Sequence, residues 1–226
     1  TVQAQARFAG NASPSINSIQ TSLLNEGGTL DSVGSFIDSD DGDSWSVTID
    51  YGDGDGTQPL ALNANKTFHL SHQYVDNGSY TVTVVVTDSQ DATGTLPFSV
   101  VVTNVAPTAK LGNGGPVAEG SSGTVGFADQ HDPSSMDVAA GFTYSYDFDN
   151  NGTFEIAGSA SPTAIVPAAY LSDGPSSQTI RARIADKDGG FTDYWTALTV
   201  TNVTPTAVFN NGGSVAEGSQ GTVGFS

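Results

Sequence analysis

The sequence of 226 residues contains no cysteine, one methionine and only six lysine and arginine residues. Without cysteine, the chain has no disulfides, no thiol nucleophile and no thiolate ligands for zinc. The 24 acidic residues outnumber the basic ones, and the formal net charge is −18. This charge disfavours nucleic acids and anionic membranes and favours cations as partners. No apolar run is long enough to span a bilayer, so membrane insertion is not expected.

The composition predicts an all-β protein. Strong helix formers are scarce, whereas glycine, threonine, serine, valine and aspartate dominate. Residues 80–87 alternate between apolar and polar side chains, residues 98–103 form a second such block, and the polar segment between them predicts a hairpin. Residues 179–185 and 194–201 repeat this layout in the second half of the chain. No helix of useful length is expected.

An internal repeat sets the domain organisation. Residues 103–109 (Thr-Asn-Val-Ala-Pro-Thr-Ala) recur at 201–207 with a single change, and residues 117–121 recur unchanged at 215–219. The Asn-Val-x-Pro segments are predicted to be the linkers, because proline interrupts strand pairing. The predicted division is a leading strand or the end of a preceding module at 1–15, a first module at 16–105, a second module at 106–203, and the first strands of a further, incomplete module at 204–226.

The segment 204–226 is too short to bury a sandwich core of its own. We therefore expect the chain to be a window from a longer tandem array. The expected partners are neighbouring modules or subunits of the same protein, joined by strand exchange. In such an exchange, a donor strand adds main-chain hydrogen bonds to an exposed sheet edge.

Three ordered motifs in the first module resemble the polycystic kidney disease (PKD) domain. They are Tyr-Gly-Asp-Gly at 51–54, His-x-Tyr at 72–74, and a Gly-x-Tyr-x-Val strand at 78–88. The second module is a divergent relative that lacks the His-x-Tyr motif. The resemblance implies tandem immunoglobulin-like (PKD-type) β-sandwiches, found on bacterial surface and secreted proteins, and it implies no catalysis. On the residues alone, His72 is expected to be a structural histidine rather than a ligand.

The acidic residues gather in predicted loops, where close carboxylates repel one another. A bound divalent cation removes this repulsion, and calcium suits such a site best because it accepts six to eight oxygen ligands in flexible geometry. We predict one kind of calcium site at the module ends. Its predicted ligands are Glu26, Asp38, Asp41, Asp88 and Asp91 in the first module, and Glu119, Asp129, Asp132, Asp186 and Asp188 in the second.

A second kind of calcium site is predicted within the second module. Asp147, Asp149 and Asn151, followed by Gly152, match the start of an Asp-x-Asp-x-Asn-Gly calcium loop. The twelfth position is Gly158 rather than a bidentate glutamate, so an EF-hand is excluded. The alternative is a simple hairpin turn, which the Asn-Gly pair also favours. The sequence leaves both interpretations open.

These patterns predict a non-enzymatic structural or adhesive repeat, a stalk, spacer or filament subunit, located outside the cell or on its surface and stiffened by calcium. The alternative is a carbohydrate- or polymer-binding accessory module of a secreted enzyme, with a cell-surface or polysaccharide ligand. Such a module needs exposed aromatic side chains. Trp45 shares the face of its strand with Val47 and Ile49 and is expected in the core, whereas either Tyr194 or Trp195 must face outward.

Overall fold

The computed structural model describes residues 10–21, 23–40 and 42–226. The chain divides into two compact units. The first unit extends to Ala109 and includes Asp129–Thr143 and Arg183–Thr192, and the second unit comprises Lys110–Ala128, Tyr144–Ala182 and Asp193–Ser226. The predicted all-β class is confirmed, since strands make up about 51% of the chain and helices about 4%.

The first repeat contains eight strands within the described residues. They are β1 Ser15–Ile16, β2 Leu24–Asn25, β3 Thr29–Ile37, β4 Trp45–Asp50, β5 Thr57–Leu60, β6 Thr67–Gln73, β7 Gly78–Asp88 and β8 Thr93–Thr103. One sheet has the order β1-β3-β6, and the other has the order β2-β8-β7-β4-β5. Strand β2 pairs with β8 in parallel, while the other described pairings are antiparallel.

The second repeat has the same order of strands in its two sheets. Its elements are β9 Thr108–Asn113, β10 Val117–Ala118, β11 Gly123–His131, helix α1 Ser135–Ala140, β12 Thr143–Asp147, β13 Ile156–Ser159, β14 Thr163–Val166, a 3-10 helix Ala168–Tyr170, β15 Ser176–Ala185 and β16 Phe191–Thr201. The sheet orders are β9-β11-β14 and β10-β16-β15-β12-β13. The chain continues into a hairpin of β17 Phe209–Asn211 and β18 Val223–Phe225.

The core of the first repeat follows from alternation along its strands. In β7, Val82, Val84 and Val86 are completely buried, as the pattern of residues 80–87 predicts. From the other sheet, Phe68 and Leu70 of β6 are also completely buried. Burying such side chains provides the main favourable free energy of folding.

The Tyr-Gly-Asp-Gly motif and the His-x-Tyr motif of the first repeat contact each other. The imidazole of His72 stacks on Tyr51 at a centroid distance of 4.1 Å, and its Nε2 lies 2.6 Å from Asp53 Oδ2. The hydroxyl of Tyr74 donates to the Tyr51 carbonyl at 3.0 Å. Gly52 holds the turn at a φ of +80°, where an added Cβ would lie 2.4 Å from a backbone oxygen. His72 therefore has the surroundings of a structural histidine.

The helix α1 is a feature that the sequence pattern did not predict. It has six residues and begins after Ser134, whose hydroxyl accepts a hydrogen bond from the Asp137 N–H at 3.1 Å. This is an N-cap with an acidic residue in the first turn, and both features stabilise a helix start. A helix this short shows no hydrophobic periodicity, and the sequence pattern therefore did not predict it.

Candidate metal centre

The linker between the two repeats contains Asn104 and Val105, and each of these residues is hydrogen-bonded to an acidic side chain. Glu26, just after β2, accepts a hydrogen bond from the backbone N–H of Val105 at 2.7 Å. Asp186, at the end of β15, accepts one from the side-chain amide of Asn104 at 3.1 Å. All four residues belong to the first compact unit. Adjacent linker residues are thus attached to one acidic residue of each repeat.

Asp186 also closes the hairpin that joins β15 to β16. Its Oδ1 accepts hydrogen bonds from the N–H groups of Asp188 at 2.9 Å and Gly190 at 2.8 Å. The Asp186 carboxylate therefore has a fixed position, with one oxygen in the turn and the other on the linker asparagine. Such local side-chain to backbone bonds are typical of aspartate in turns.

The first repeat contains the same arrangement around Asp88. Its Oδ1 accepts from Gln90 and Ala92, at 2.8 and 2.9 Å, and its Oδ2 accepts from the side-chain amide of Asn11 at 3.0 Å. Burial opposes ionisation of Asp88, but these hydrogen bonds outweigh it and lower its pKa. The neighbouring Asp91 is exposed, with a φ of +65°.

Near the linker, carboxylates from both repeats form what we name the joint cluster. It consists of two overlapping groups that share Asp137, and in each group the potential ligand atoms lie within 4.8 Å of one another. Asp137 is completely buried, and Glu26, Asp132 and Asp186 are at most 7% exposed. The members of the joint cluster are Glu26, Asp76, Asp132, Asp137, Asp186 and Asp188.

Several oxygens in this region are buried and have no hydrogen-bond partner among the described residues. They are Glu26 Oε2, Asp132 Oδ2, Asp137 Oδ2 and Asn104 Oδ1. Burial raises the pKa of the Glu26, Asp132 and Asp137 carboxyl groups, and repulsion between neighbouring carboxylates raises them further. Buried polar atoms without partners are costly, and oxygens arranged in this way are the ligands that calcium prefers.

Lys187 contacts one side of the joint cluster. Its Nζ lies 2.7 Å from Asp76 Oδ1 and 3.1 Å from Asp137 Oδ1, and it also contacts Asp188. Burial alone would lower the pKa of Lys187, but these carboxylates outweigh it and raise the pKa well above the usual value. The lysine therefore remains charged and neutralises part of the cluster.

Glu119 occupies the position in the second repeat that corresponds to Glu26, yet its carboxylate is fully paired. Its Oε1 accepts from the Val203 N–H and its Oε2 from the Gly174 N–H, both at 2.8 Å. These two hydrogen bonds lower the pKa of Glu119. The same residue type thus holds the N–H of the following linker in both repeats, but only Glu26 has an unpartnered oxygen.

A further acidic group lies in the loop after β3. Asp38, Asp40 and Asp43 bring ligand atoms within 4.8 Å of one another. Asp38 accepts a hydrogen bond from the Trp45 indole at 2.9 Å. Asp41, also predicted as a ligand, lies outside the described residues. All three described side chains are half-exposed.

The predicted loop site of the second repeat is a compact turn. Asp147 is completely buried and accepts hydrogen bonds from the N–H groups of Asn151 at 3.1 Å and Gly152 at 2.9 Å. Asp147, Asp149 and Glu155 bring ligand atoms within 4.8 Å of one another. The loop joins β12 to β13, so it is longer than a two-residue Asn-Gly turn. Both interpretations of this loop remain compatible with the geometry.

The structure groups the predicted ligands differently from the sequence-based scheme. Glu26 lies with Asp137 and Asp188 from the second repeat and with Asp76, rather than with Asp38 and Asp88 of its own repeat. In the described part of the chain, four predicted ligands belong to no group of three or more potential ligands. These are Asp88, Asp91, Glu119 and Asp129.

Sequence reasoning missed four participants, which are Asn104, Asp76, Asp137 and Lys187. For Asp137 a signal exists, since the Ser-x-x-Asp spacing from Ser134 is a helix-start pattern. The contacts of the others depend on long-range folding.

The paired sheets, repeated with the same strand order, define a tandem immunoglobulin-like β-sandwich protein. Residues 11–102 match the family model of the PKD domain. The predicted resemblance to PKD-type domains is therefore confirmed over the first repeat.

Several solved structures are similar in fold. The PKD1 domain of Vibrio anguillarum Epp is 23% identical, with a TM-score of 0.30, over 42% of this chain and 100% of that one. A 1.5-MDa bacterial ice-binding adhesin is 19% identical, with a TM-score of 0.34, over 89% and 70%. A two-domain fibronectin type III segment of chicken tenascin is 14% identical, with a TM-score of 0.47, over 83% and 99%. A search of curated protein sequences gives no match. Among the described residues, no helix has the length and apolarity needed to cross a membrane.

Proposed function

We propose that this chain is a non-enzymatic structural repeat of an extracellular or cell-surface protein, in which calcium at the joint cluster ties consecutive repeats together. The fold, the internal repetition and the charge of −18 support this role, because strong negative charge keeps long arrays soluble and apart. The proposed array acts as a stalk, adhesive spacer or filament subunit.

The observation that carries the proposal is the set of buried oxygens without partners near the linker. Glu26 comes from the first repeat, Asn104 from the linker, and Asp132 and Asp137 from the second repeat. A calcium ion bound by these oxygens satisfies them and offsets the repulsion between the carboxylates. It also connects three segments of the chain that are distant in sequence. In this proposal, the ion that satisfies the buried oxygens also links the two repeats.

The proposal predicts that calcium raises the melting temperature. A ligand at about 100 times its Kd stabilises the native state by about 2.7 kcal/mol, because it binds only the folded form. We expect differential scanning calorimetry to show a Tm several degrees higher in calcium than in EDTA. Asp149→Asn removes a carboxylate from the loop between β12 and β13 and none from the joint cluster, so this control is expected to keep the difference in Tm. Equal melting temperatures in calcium and EDTA would show that calcium does not stabilise the chain, and the calcium part of the proposed function would be wrong.

One observation favours a second candidate, a carbohydrate-binding accessory module. Trp195 is 58% exposed, and its indole N–H is held by Asn150 Oδ1 at 3.2 Å. An exposed, oriented indole is suited to stacking on a sugar ring. Trp45, by contrast, is half-buried with Lys66 Nζ 4.1 Å from its ring, and it offers no such platform.

A pull-down with insoluble polysaccharides separates the two candidates. For a structural repeat, we expect the wild-type chain and Trp195→Ala to remain alike in the unbound fraction. For a binding module, the wild type is retained and Trp195→Ala is released. Phe225→Ala, which removes another exposed aromatic ring, is the matched control and is retained like the wild type in the second case.

A further inference from the structure

The joint cluster has two parts, one in contact with the ammonium group of Lys187 and one made of the unpartnered oxygens. The ammonium group contacts Asp76, Asp137 and Asp188. The unpartnered oxygens belong to Glu26, Asp132 and Asp137, which are at most 6% exposed, and to Asn104. Asp137 takes part on both sides, with Oδ1 near the lysine and Oδ2 unpartnered. An ion bound at the unpartnered oxygens would therefore share a carboxylate with the ammonium group.

The hairpin that carries Lys187 does not need a lysine to form. In the first repeat, Ser89 follows Asp88 as Lys187 follows Asp186. Both aspartates accept hydrogen bonds from the N–H groups two and four residues later, with donor–acceptor distances between 2.8 and 2.9 Å. Because the turn closes identically with serine, the distinctive contribution of Lys187 is its positive charge within the cluster.

We infer that Lys187 is a resident cation of the joint cluster and sets the calcium concentration at which the cluster takes up its ion. The inference rests on the proposed function and adds a regulatory residue to it. Without calcium, the ammonium group neutralises part of the cluster and holds Asp76, Asp137 and Asp188 in place. When calcium binds, the same charge repels the incoming ion and weakens its binding.

The test replaces Lys187 with the residue that the first repeat uses. In Lys187→Ser, we expect half-saturation at a calcium concentration lower by about tenfold or more, since a unit charge a few ångströms from a divalent ion contributes at least this much. We also expect a lower Tm in EDTA, because the carboxylates lose their counter-ion. Calcium added to apoprotein is followed by isothermal titration calorimetry and thermal melting.

Two controls isolate the charge at this position. Lys187→Arg keeps the charge and is expected to titrate like the wild type, while Lys110→Ser removes one positive charge from the second unit and leaves the calcium midpoint unchanged. A wild type that binds calcium with an unchanged or higher midpoint in Lys187→Ser overturns the inference but leaves the proposed function standing.

In the remaining outcomes the two proposals fail together. Calcium binding in Lys187→Ser but not in the wild type overturns the proposed function and, with it, the inference that Lys187 sets a calcium concentration at which the wild-type cluster takes up its ion. No calcium binding in either protein overturns both.

Discussion

Replacing Glu26 with Gln is expected to raise the calcium concentration needed for half-saturation by about tenfold or more, because one charged ligand of the ion is lost. The same replacement at Glu119 is expected to leave the calcium midpoint unchanged. Without calcium, the melting temperatures of the two variants should change in opposite directions, with Glu26→Gln stabilised and Glu119→Gln destabilised. Glu26→Gln keeps an acceptor for the Val105 N–H and removes a carboxylate from a repulsive cluster.

Glu119→Gln instead places an amide N–H₂ against a backbone N–H. Its carboxylate accepts two backbone hydrogen bonds, and a glutamine side chain has only one oxygen to offer. We expect its Tm to fall by a few degrees both in calcium and in EDTA. Calcium titrations and calorimetric melts of both variants check this pair. Equal calcium midpoints for Glu26→Gln and the wild type would show that Glu26 is not a ligand.

Truncating Phe68 to alanine is expected to destabilise the first repeat by about 3–5 kcal/mol. Phe68 is completely buried in β6, and its ring covers Gly34 of β3, where an added Cβ would lie only 2.2 Å from the ring. Removing the ring leaves a cavity that a glycine neighbour cannot fill. Such a loss is a large part of the total stability of a domain, which is typically about 5–15 kcal/mol. Urea unfolding monitored by circular dichroism measures it.

The matched control is Val33→Ala, on the same strand as Gly34. Val33 is 64% exposed, and its truncation is expected to change the free energy of unfolding by no more than about 0.5 kcal/mol. If Phe68→Ala costs no more than Val33→Ala, the ring does not make the contribution to the core that its burial indicates.

The fold follows from local patterns to a large extent. Alternating apolar residues in β7 and β8 predicted the hairpin, and the structure extends both strands by a few residues at their ends. The tyrosine of the His-x-Tyr motif, Tyr74, is buried, with 1% exposure. These features depend on neighbours along the chain and on a period of two, which the sequence contains directly.

The joint cluster depends on contacts that no local pattern encodes. Glu26 lies within ligand distance of Asp137 and Asp188, which are more than one hundred residues later in the chain. The sequence predicted acidic loops and a cation, but it placed the partners of Glu26 within a single module. The sequence pattern does not identify Asp137 as a ligand, because its helix has only six residues and follows a proline-containing loop. The distinction between Glu26 and Glu119, identical residues at corresponding positions, is visible only in their hydrogen bonds.

The way the linkers are attached has an evolutionary consequence. The linker between the two repeats offers the Val105 N–H to Glu26 of the repeat before it and the Asn104 side-chain amide to Asp186 of the repeat after it. Val203 and Asn11 each make one of the corresponding contacts, with Glu119 and Asp88. Unequal recombination that adds or deletes a whole repeat therefore recreates a complete set of attachments at the new boundary. A deletion of part of a repeat, by contrast, that removes either the glutamate or the aspartate leaves a linker attached on one side only.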